Sequence, residues 1–186
     1  MLLKEKEIIL SDGRHCILRS ARTEDAEDLV QYLKITSAET PYLMKEPEEI
    51  TLTSAQEKDF LQTMEEAKRE LLLIARVDGK HAGNCSLSSC GSYKRYAHRC
   101  NIAIALYQEY CGMGLGKAML NTVLETAAGC GYEQAELEVV TANTAAVRLY
   151  KSLGFEIYGE QPHSMKYKDG SYANEYLMVK NLTPVK

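Results

Sequence analysis

Residues 101–120, NIAIALYQEYCGMGLGKAML, run from a β-branched apolar stretch through three glycines on alternate positions into an apolar helix. This passage restricts the fold more than any other in the chain. Gly112, Gly114 and Gly116 permit a turn and a close approach of backbone that bulkier residues resist. In the following GKAMLNTVLETAAG, residues Ala118, Met119, Val123, Leu124 and Ala127 recur on one side of a helix. QAELEVV then reads as a strand. Strand, helix, strand in that order implies a right-handed crossover, so part of the sheet is parallel.

The rest of the chain arranges itself around that unit. HCILRS predicts a first strand, and RTEDAEDLVQYLKITSAE an amphipathic helix with Thr23 as N-cap and Glu24 and Asp25 in its first turn. TPYLMKEPEEI carries two prolines and little periodicity, which predicts a loop of about ten residues. Thr53 and Gln56 have capping-box spacing ahead of a second helix that reaches about Arg69. ELLLIARVDGKHAGNCSLSS predicts a hairpin turning at Asp78-Gly79, where both residues tolerate positive φ. YAHRCNIAIALY gives the next strand, with His98 on it. After QAELEVV come a helix NTAAVRLYKSLG, stopped by Gly154, and strands FEIYGE and SYANEYLMVKNL around the turn KDGSY. The order β, α, α, β, β, β, α, β, α, β, β predicts an α/β (α+β) fold. Its central sheet is mixed and mostly antiparallel, with helices on both faces, in a single domain spanning 1–186.

Composition narrows the function. A net charge of −4 speaks against nucleic acid as a partner, because phosphate binding needs a basic face. MLLKEKEIIL has charges where a signal peptide needs apolar residues, and no run approaches the ~20 apolar residues that cross a bilayer, so no membrane partner and a cytoplasmic location are expected. The six cysteines at 16, 85, 90, 100, 111 and 130 lack paired metal-ligand spacing, and no metal is expected. The histidines at 15, 81, 98 and 163 give no local signature for a Cys/His pair.

A glycine-rich turn before a helix suits phosphate, but two common versions fail here. The phosphate loop of nucleotide hydrolases needs four residues between its outer glycines and a hydroxyl after the lysine. Here three residues separate Gly112 from Gly116, and Ala118 follows Lys117. The dinucleotide fingerprint is G-x-G-x-x-G near the start of its fold, whereas this turn is G-x-G-x-G and lies beyond mid-chain. Downstream stands NTAAVRLYKSLGF, Asn143 to Phe155. Together the glycine turn and this segment resemble the two ordered motifs of the GNAT superfamily of N-acetyltransferases, R/Q-x-x-G-x-G/A and N-x-x-A-x-x-L-Y-x-K-x-G-F.

The resemblance implies acetyl-CoA, or coenzyme A, as bound substrate. It implies a pyrophosphate grip by the backbone of Gly112, Met113, Gly114, Leu115, Gly116 and Lys117, with the helix N-terminus adding its positive dipole end. It also implies pantetheine pairing with backbone near Ile104 and Leu106, where the NIAIAL strand splays from QAELEVV, and a contact from Asn143, which equally reads as a helix N-cap. Tyr150 matches the family tyrosine that protonates the departing sulfur, and its phenol is protonated at neutral pH. As an alternative role, Tyr150 packs a helix face; as an alternative for Lys117, its ammonium is simply solvated.

Two positions depart from the family pattern. Cys111 replaces the Arg or Gln before the first glycine, and Asn101 stands where many relatives carry a glutamate base. His98, Glu138 or a water chain then remain as candidates for the base. These departures leave open a non-catalytic module that binds or senses acyl-CoA. The expected acceptor is the amine of a small molecule or peptide, and Glu39, Glu46, Glu48 and Glu49 form either an acidic lip or a solvated run. Fold analogy adds a homodimer as an expectation.

Overall fold

The computed structural model describes residues 1–182. The strands are β1 (Lys6–Ile9), β2 (His15–Ser20), β3 (Leu71–Val77), β4 (Lys80–Ser89), β5 (Arg99–Leu106), β6 (Gln134–Val140), β7 (Glu156–Lys166) and β8 (Tyr172–Asn181). They form one sheet in the order β1-β2-β3-β4-β5-β6-β8-β7. Only β5 and β6 run parallel, joined by the crossover helix α3 (Leu115–Gly129); every other neighbouring pair is antiparallel. The mixed, mostly antiparallel sheet is therefore as the sequence predicts.

One face carries α3 and α4 (Thr144–Ser152), whose Met119, Leu120, Val123, Val147 and Tyr150 join Leu73, Cys85, Ile102 and Leu137 in the main core. Helices α1 (Ala26–Glu39) and α2 (Ser54–Glu66) lie on the other face, where Ala26, Leu29, Leu61 and Ile74 make a smaller cluster. Among the described residues the α1 and α2 pair packs over β3 and β4, leaving the same face of β6 and β8 without a helix.

Local signals explain most of the boundaries. Thr53 accepts from Gln56 N–H at 3.3 Å while Gln56 accepts from Thr53 N–H at 3.0 Å, the reciprocal cap expected ahead of α2. Asp78 (φ 49°) and Gly79 (φ 80°) make the β3–β4 turn. The start of α1 differs from expectation. Thr23 is not the N-cap, since its N–H donates to Glu65 and the short 3-10 turn Thr23–Asp25 precedes the helix. Asp25 organises this entry instead. Its carboxylate is 2% exposed and accepts from Arg19 at 2.7 Å through both oxygens, from Arg22 N–H at 2.8 Å and from Arg76 at 3.2 Å. Burial pushes the Asp25 pKa up, but Arg19, the Arg22 N–H and Arg76 outweigh it and hold the carboxyl below its usual range.

Two strands exceed their sequence signal. β1 is a short, largely exposed edge strand, so KEII carries almost no alternation to read. FEIYGE extends into the eleven-residue β7, whose pattern is scrambled by irregularities at Ile157/Gly159 and Gln161/Met165.

Candidate active site

The glycine turn and the second motif meet where β5 and β6 part. The two strands pair only over Arg99↔Gln134, Cys100↔Ala135 and Asn101↔Glu136, while β5 continues against β4 as far as Leu106. Hydrogen-bond parity then fixes where each backbone group points. Tyr107 N–H donates to Ala82 C=O, so Ala103, Ala105 and Tyr107 face β4, and Ile102, Ile104 and Leu106 face β6. Thr141 N–H donates to Asn174 C=O and Gln134 N–H to His98 C=O, so Leu137 and Val139 face β8 while Glu138 and Val140 face β5. Beyond Asn101 and Glu136, the main-chain groups of Ile104, Leu106 and Glu138 thus line an unpaired gap. An extended chain can bond to both walls of such a gap as a strand does.

At the end of this gap lies the glycine turn. Gly112 (φ 80°) and Gly114 (φ 83°) are left-handed, and a Cβ on either would meet nothing within 4 Å. Their backbone conformation, not crowding, demands glycine. Ala118 N–H is the first to bond back, to Gly114 C=O at 3.1 Å, and among the described residues nothing accepts from the N–H groups of Gly112, Met113, Gly114, Leu115, Gly116 or Lys117. Six successive free donors at the N-terminus of a fifteen-residue helix make an anion cradle. Gly116 has a different role: its Cβ position is 3.3 Å from Leu149 Cδ2 and 3.7 Å from Leu106 Cδ1, so its smallness lets α3 lie close to α4 and β5. Lys117 is exposed and forms no ion pair among the described residues.

Cys111 closes the turn before the glycines, its N–H donating to Gln108 C=O at 3.1 Å. Its thiol donates to Tyr107 C=O at 3.7 Å, and burial, with Glu39 nearby, pushes its pKa up, so it stays a neutral thiol. The support of this turn was not legible in the sequence. Ser11 N–H donates to Met113 C=O at 3.3 Å, an Arg14 N–H meets the Met113 sulfur, and the Arg14 guanidinium lies 5.2 Å from the centre of the Tyr110 ring. Those contacts come from the β1–β2 turn, about a hundred residues away, and no local pattern announces them.

On α4, Asn143 caps the helix as predicted, its Oδ1 accepting from Ala146 N–H at 3.2 Å. Tyr150 is 7% exposed, packs edge-on against Phe155 at 5.9 Å, and lies in the α3–α4 face of the core. Its hydroxyl has no partner among the described residues, yet it is not one of the fully enclosed unpaired atoms. Burial pushes its pKa up, so the phenol keeps its proton.

The candidate bases separate. His98 is not on a strand: it lies in the turn before β5, where its carbonyl accepts from Glu133 and Gln134, at the paired end of the two strands and away from the gap. Asn101 Oδ1 accepts from the Cys90 thiol at 3.4 Å. Glu138 is exposed, shares the helix-free face of the sheet with Glu136, and has no hydrogen bond or ion pair among the described residues. Continuing the parallel register sets it beside Ala103 across the gap. Glu136, which the sequence did not single out, is occupied: Arg99 donates through Nε and through Nη2 (2.6 Å), and Gln134 adds a bond at 2.6 Å. The Arg99 bonds hold its pKa below the usual range against the opposing effect of burial. This pair lines a cavity of about 200 Å³ with Tyr158, Val179 and Asn181.

The acidic loop is tied inward. Glu39 accepts from Gln108 N–H at 2.8 Å, Glu49 from Glu46 N–H at 2.8 Å, and Lys168 at the β7–β8 turn pairs with both Glu48 and Glu46, the latter at 3.4 Å. Two of these carboxylates thus share one ammonium, and the other two accept main-chain N–H groups. Among the described residues no cluster of three His, Cys, Asp or Glu is placed to hold a metal ion, and no helix is long and apolar enough to cross a membrane.

Comparison with known proteins agrees with this geometry. The profile of the Acetyltransferase (GNAT) family matches residues 32–155, which include the parted strands, the glycine turn and α4. The chain belongs to the GNAT family of acetyltransferases. A solved GNAT-family acetyltransferase from Streptococcus pneumoniae is 32% identical, with a TM-score of 0.85 over 89% of this chain and 99% of that one. The L-amino acid N-acyltransferase MnaT of Escherichia coli is 24% identical over 91 residues, 49% of this chain and 53% of that protein, so this chain matches only about half the length of that relative. The yncA protein of Salmonella typhimurium, whose structure contains acetyl-CoA, aligns with a TM-score of 0.80 over 91% and 95% of the two chains. At 18% identity that likeness is one of fold. The GNAT-type fold expected from the two motifs is the one observed.

Proposed function

We infer that this GNAT enzyme transfers an acetyl group from acetyl-CoA to the amine of a small molecule or peptide by direct attack. The observation that carries this reading is the parted pair β5 and β6, with Ile104, Leu106 and Glu138 turning backbone groups into the gap and six free N–H groups at its end. In this reading Gly112 to Lys117 bind the pyrophosphate, Asn143 contacts the cofactor beside its capping bond, and Ile104 and Leu106 pair with the pantetheine arm. A backbone N–H on β5 polarises the thioester carbonyl and stabilises the oxyanion as it develops.

The acid and base act from opposite faces of the sheet. Glu138, on the helix-free face, accepts the proton that the amine loses on attacking the carbonyl carbon, directly or through water. Tyr150, on the α3–α4 face, donates its phenolic proton to the sulfur as the C–S bond breaks, and solvent restores it. Attack, bond cleavage and both proton transfers leave an N-acetyl product and free coenzyme A. The likeness to the L-amino acid N-acyltransferase of Escherichia coli makes L-amino acids the first members of an acceptor panel, with polyamines, aminoglycosides and peptides beside them. Coenzyme A release across that panel tests the reading. Tight binding of acetyl-CoA with no amine-dependent release would instead identify a binding or sensing module.

A further inference from the structure

The outer half of β5 has lost one neighbour and still has to hold its backbone steady. Beyond Asn101 it pairs only with β4, although Ile104 and Leu106 lie in this half. A strand with a single partner frays more readily than one held on both sides. A side-chain hydrogen bond reaches its backbone from another layer. Tyr32 on α1, 3% exposed, donates its hydroxyl to Ala105 C=O at 2.8 Å. The register makes Ala105 and Asn84 a hydrogen-bonded pair, so this carbonyl carries the Tyr32 bond in addition to its ladder bond.

The Tyr32 ring is itself fixed. It meets His81 edge-on at 5.0 Å and Tyr107 at 5.4 Å, and His81 and Tyr107 lie 6.1 Å apart at right angles. Tyr107 is the residue that leaves β5, and its N–H is bonded to Ala82, next to His81. Three rings from α1, β4 and the end of β5 therefore hold one hydroxyl against the strand between the gap and the glycine turn.

The geometry points to Tyr32 as a positioning residue that holds the outer half of β5 in register for acetyl-CoA, an inference that rests on the gap being the acetyl-CoA site. It touches neither acetyl group nor sulfur and acts through Ala105. Tyr32→Phe keeps the ring packing and removes only the hydroxyl, so the fold should persist. Tyr107→Phe serves as the control, because the Tyr107 hydroxyl makes no hydrogen bond among the described residues.

Two measurements decide the matter: acetyl-CoA affinity by calorimetry, and amide exchange in the ligand-free protein. Tyr32→Phe should weaken acetyl-CoA binding about three- to tenfold, the scale of one neutral hydrogen bond, with Tyr107→Phe unchanged. The amides of Ala105 and Tyr107 should exchange faster by a similar factor while those of β3 keep their rates. Unchanged affinity with unchanged exchange would overturn the inference, as would a lowered unfolding temperature with unchanged affinity, which is the mark of a purely structural tyrosine. If the unsubstituted protein binds no acetyl-CoA, the proposed function fails, and unchanged exchange would separately remove Tyr32 from holding the strand.

Discussion

Ile104 and Glu138 stand on parallel strands that have separated, and both direct their main-chain N–H and C=O groups into the gap between them. Their side chains diverge: Ile104 packs toward Gly116 on the α3 side, and Glu138 lies on the helix-free face. One gap thus has an apolar side, where Ile104 meets α3, and an open side with the exposed Glu138 carboxylate.

Substitution in the glycine turn should separate strain from crowding. Gly112→Ala and Gly114→Ala should each destabilise by about 1–2 kcal/mol, the penalty of a left-handed backbone for an L-residue, with no clash to relieve. Acetyl-CoA binding should weaken with them, because a backbone that relaxes turns its N–H groups away. Gly116→Val should act differently, pushing Leu149 and Leu106 apart. Denaturant melts alongside acetyl-CoA calorimetry on all three variants check this.

Glu138→Gln should lower kcat while leaving acetyl-CoA affinity nearly unchanged. His98→Gln should leave both intact, since that histidine sits at the paired end of the strands. A kcat loss in the histidine variant alone would reverse the assignment.

Acid should weaken the fold in two stages. His81 is buried with both ring nitrogens unpaired, and burial lowers its pKa from 6.5 to about 4, with Arg76 adding to the shift and Asp28, Asp25 and Asn84 opposing it. The unfolded chain therefore takes up the proton first, and stability falls as pH drops from about 6.5 to about 4, by up to roughly 3 kcal/mol. Asp25, whose folded pKa is depressed, contributes stability above the ordinary carboxylate pKa that is lost as pH falls through its lowered value. His81→Phe should flatten the first stage only, read from unfolding free energies at a series of pH values.

Asp25→Ala should destabilise by about 3–5 kcal/mol, because Arg19 and Arg76 are left without their buried counter-charge. Thr23→Ala, at the expected cap, should cost far less. Urea melts of the pair discriminate between the two residues.

Where a signal was local, the sequence carried it. The Thr53–Gln56 cap, the Asp78-Gly79 turn and the Asn143 cap each depend on residues within a few positions, and all three form as read. The parting of β5 from β6 was implied by the family resemblance of the glycine turn and NTAAVRLYKSLGF, not by a local signal, and the strands do part beyond Asn101 and Glu136. What escaped was chemistry assembled from distant segments. Asp25 became the organiser of α1 because β2 and β3 bring arginines to it, and Glu136 was neutralised because the parallel register sets it near Arg99, 37 residues away. His98 read as a strand residue because the apolar pattern runs into it, whereas the strand begins at Arg99 once β6 is there to pair.

Amine-dependent coenzyme A release by the unsubstituted protein and by Tyr150→Phe tests most directly whether acetyl transfer runs through the gap with Tyr150 as acid. The expected result is release with at least one amine, slowed about 10²-fold or more in the variant. Because the hydroxyl has no partner among the described residues, the unfolding temperature should barely change. Equal turnover in the two proteins, or binding of acetyl-CoA with no release for any amine, would contradict it.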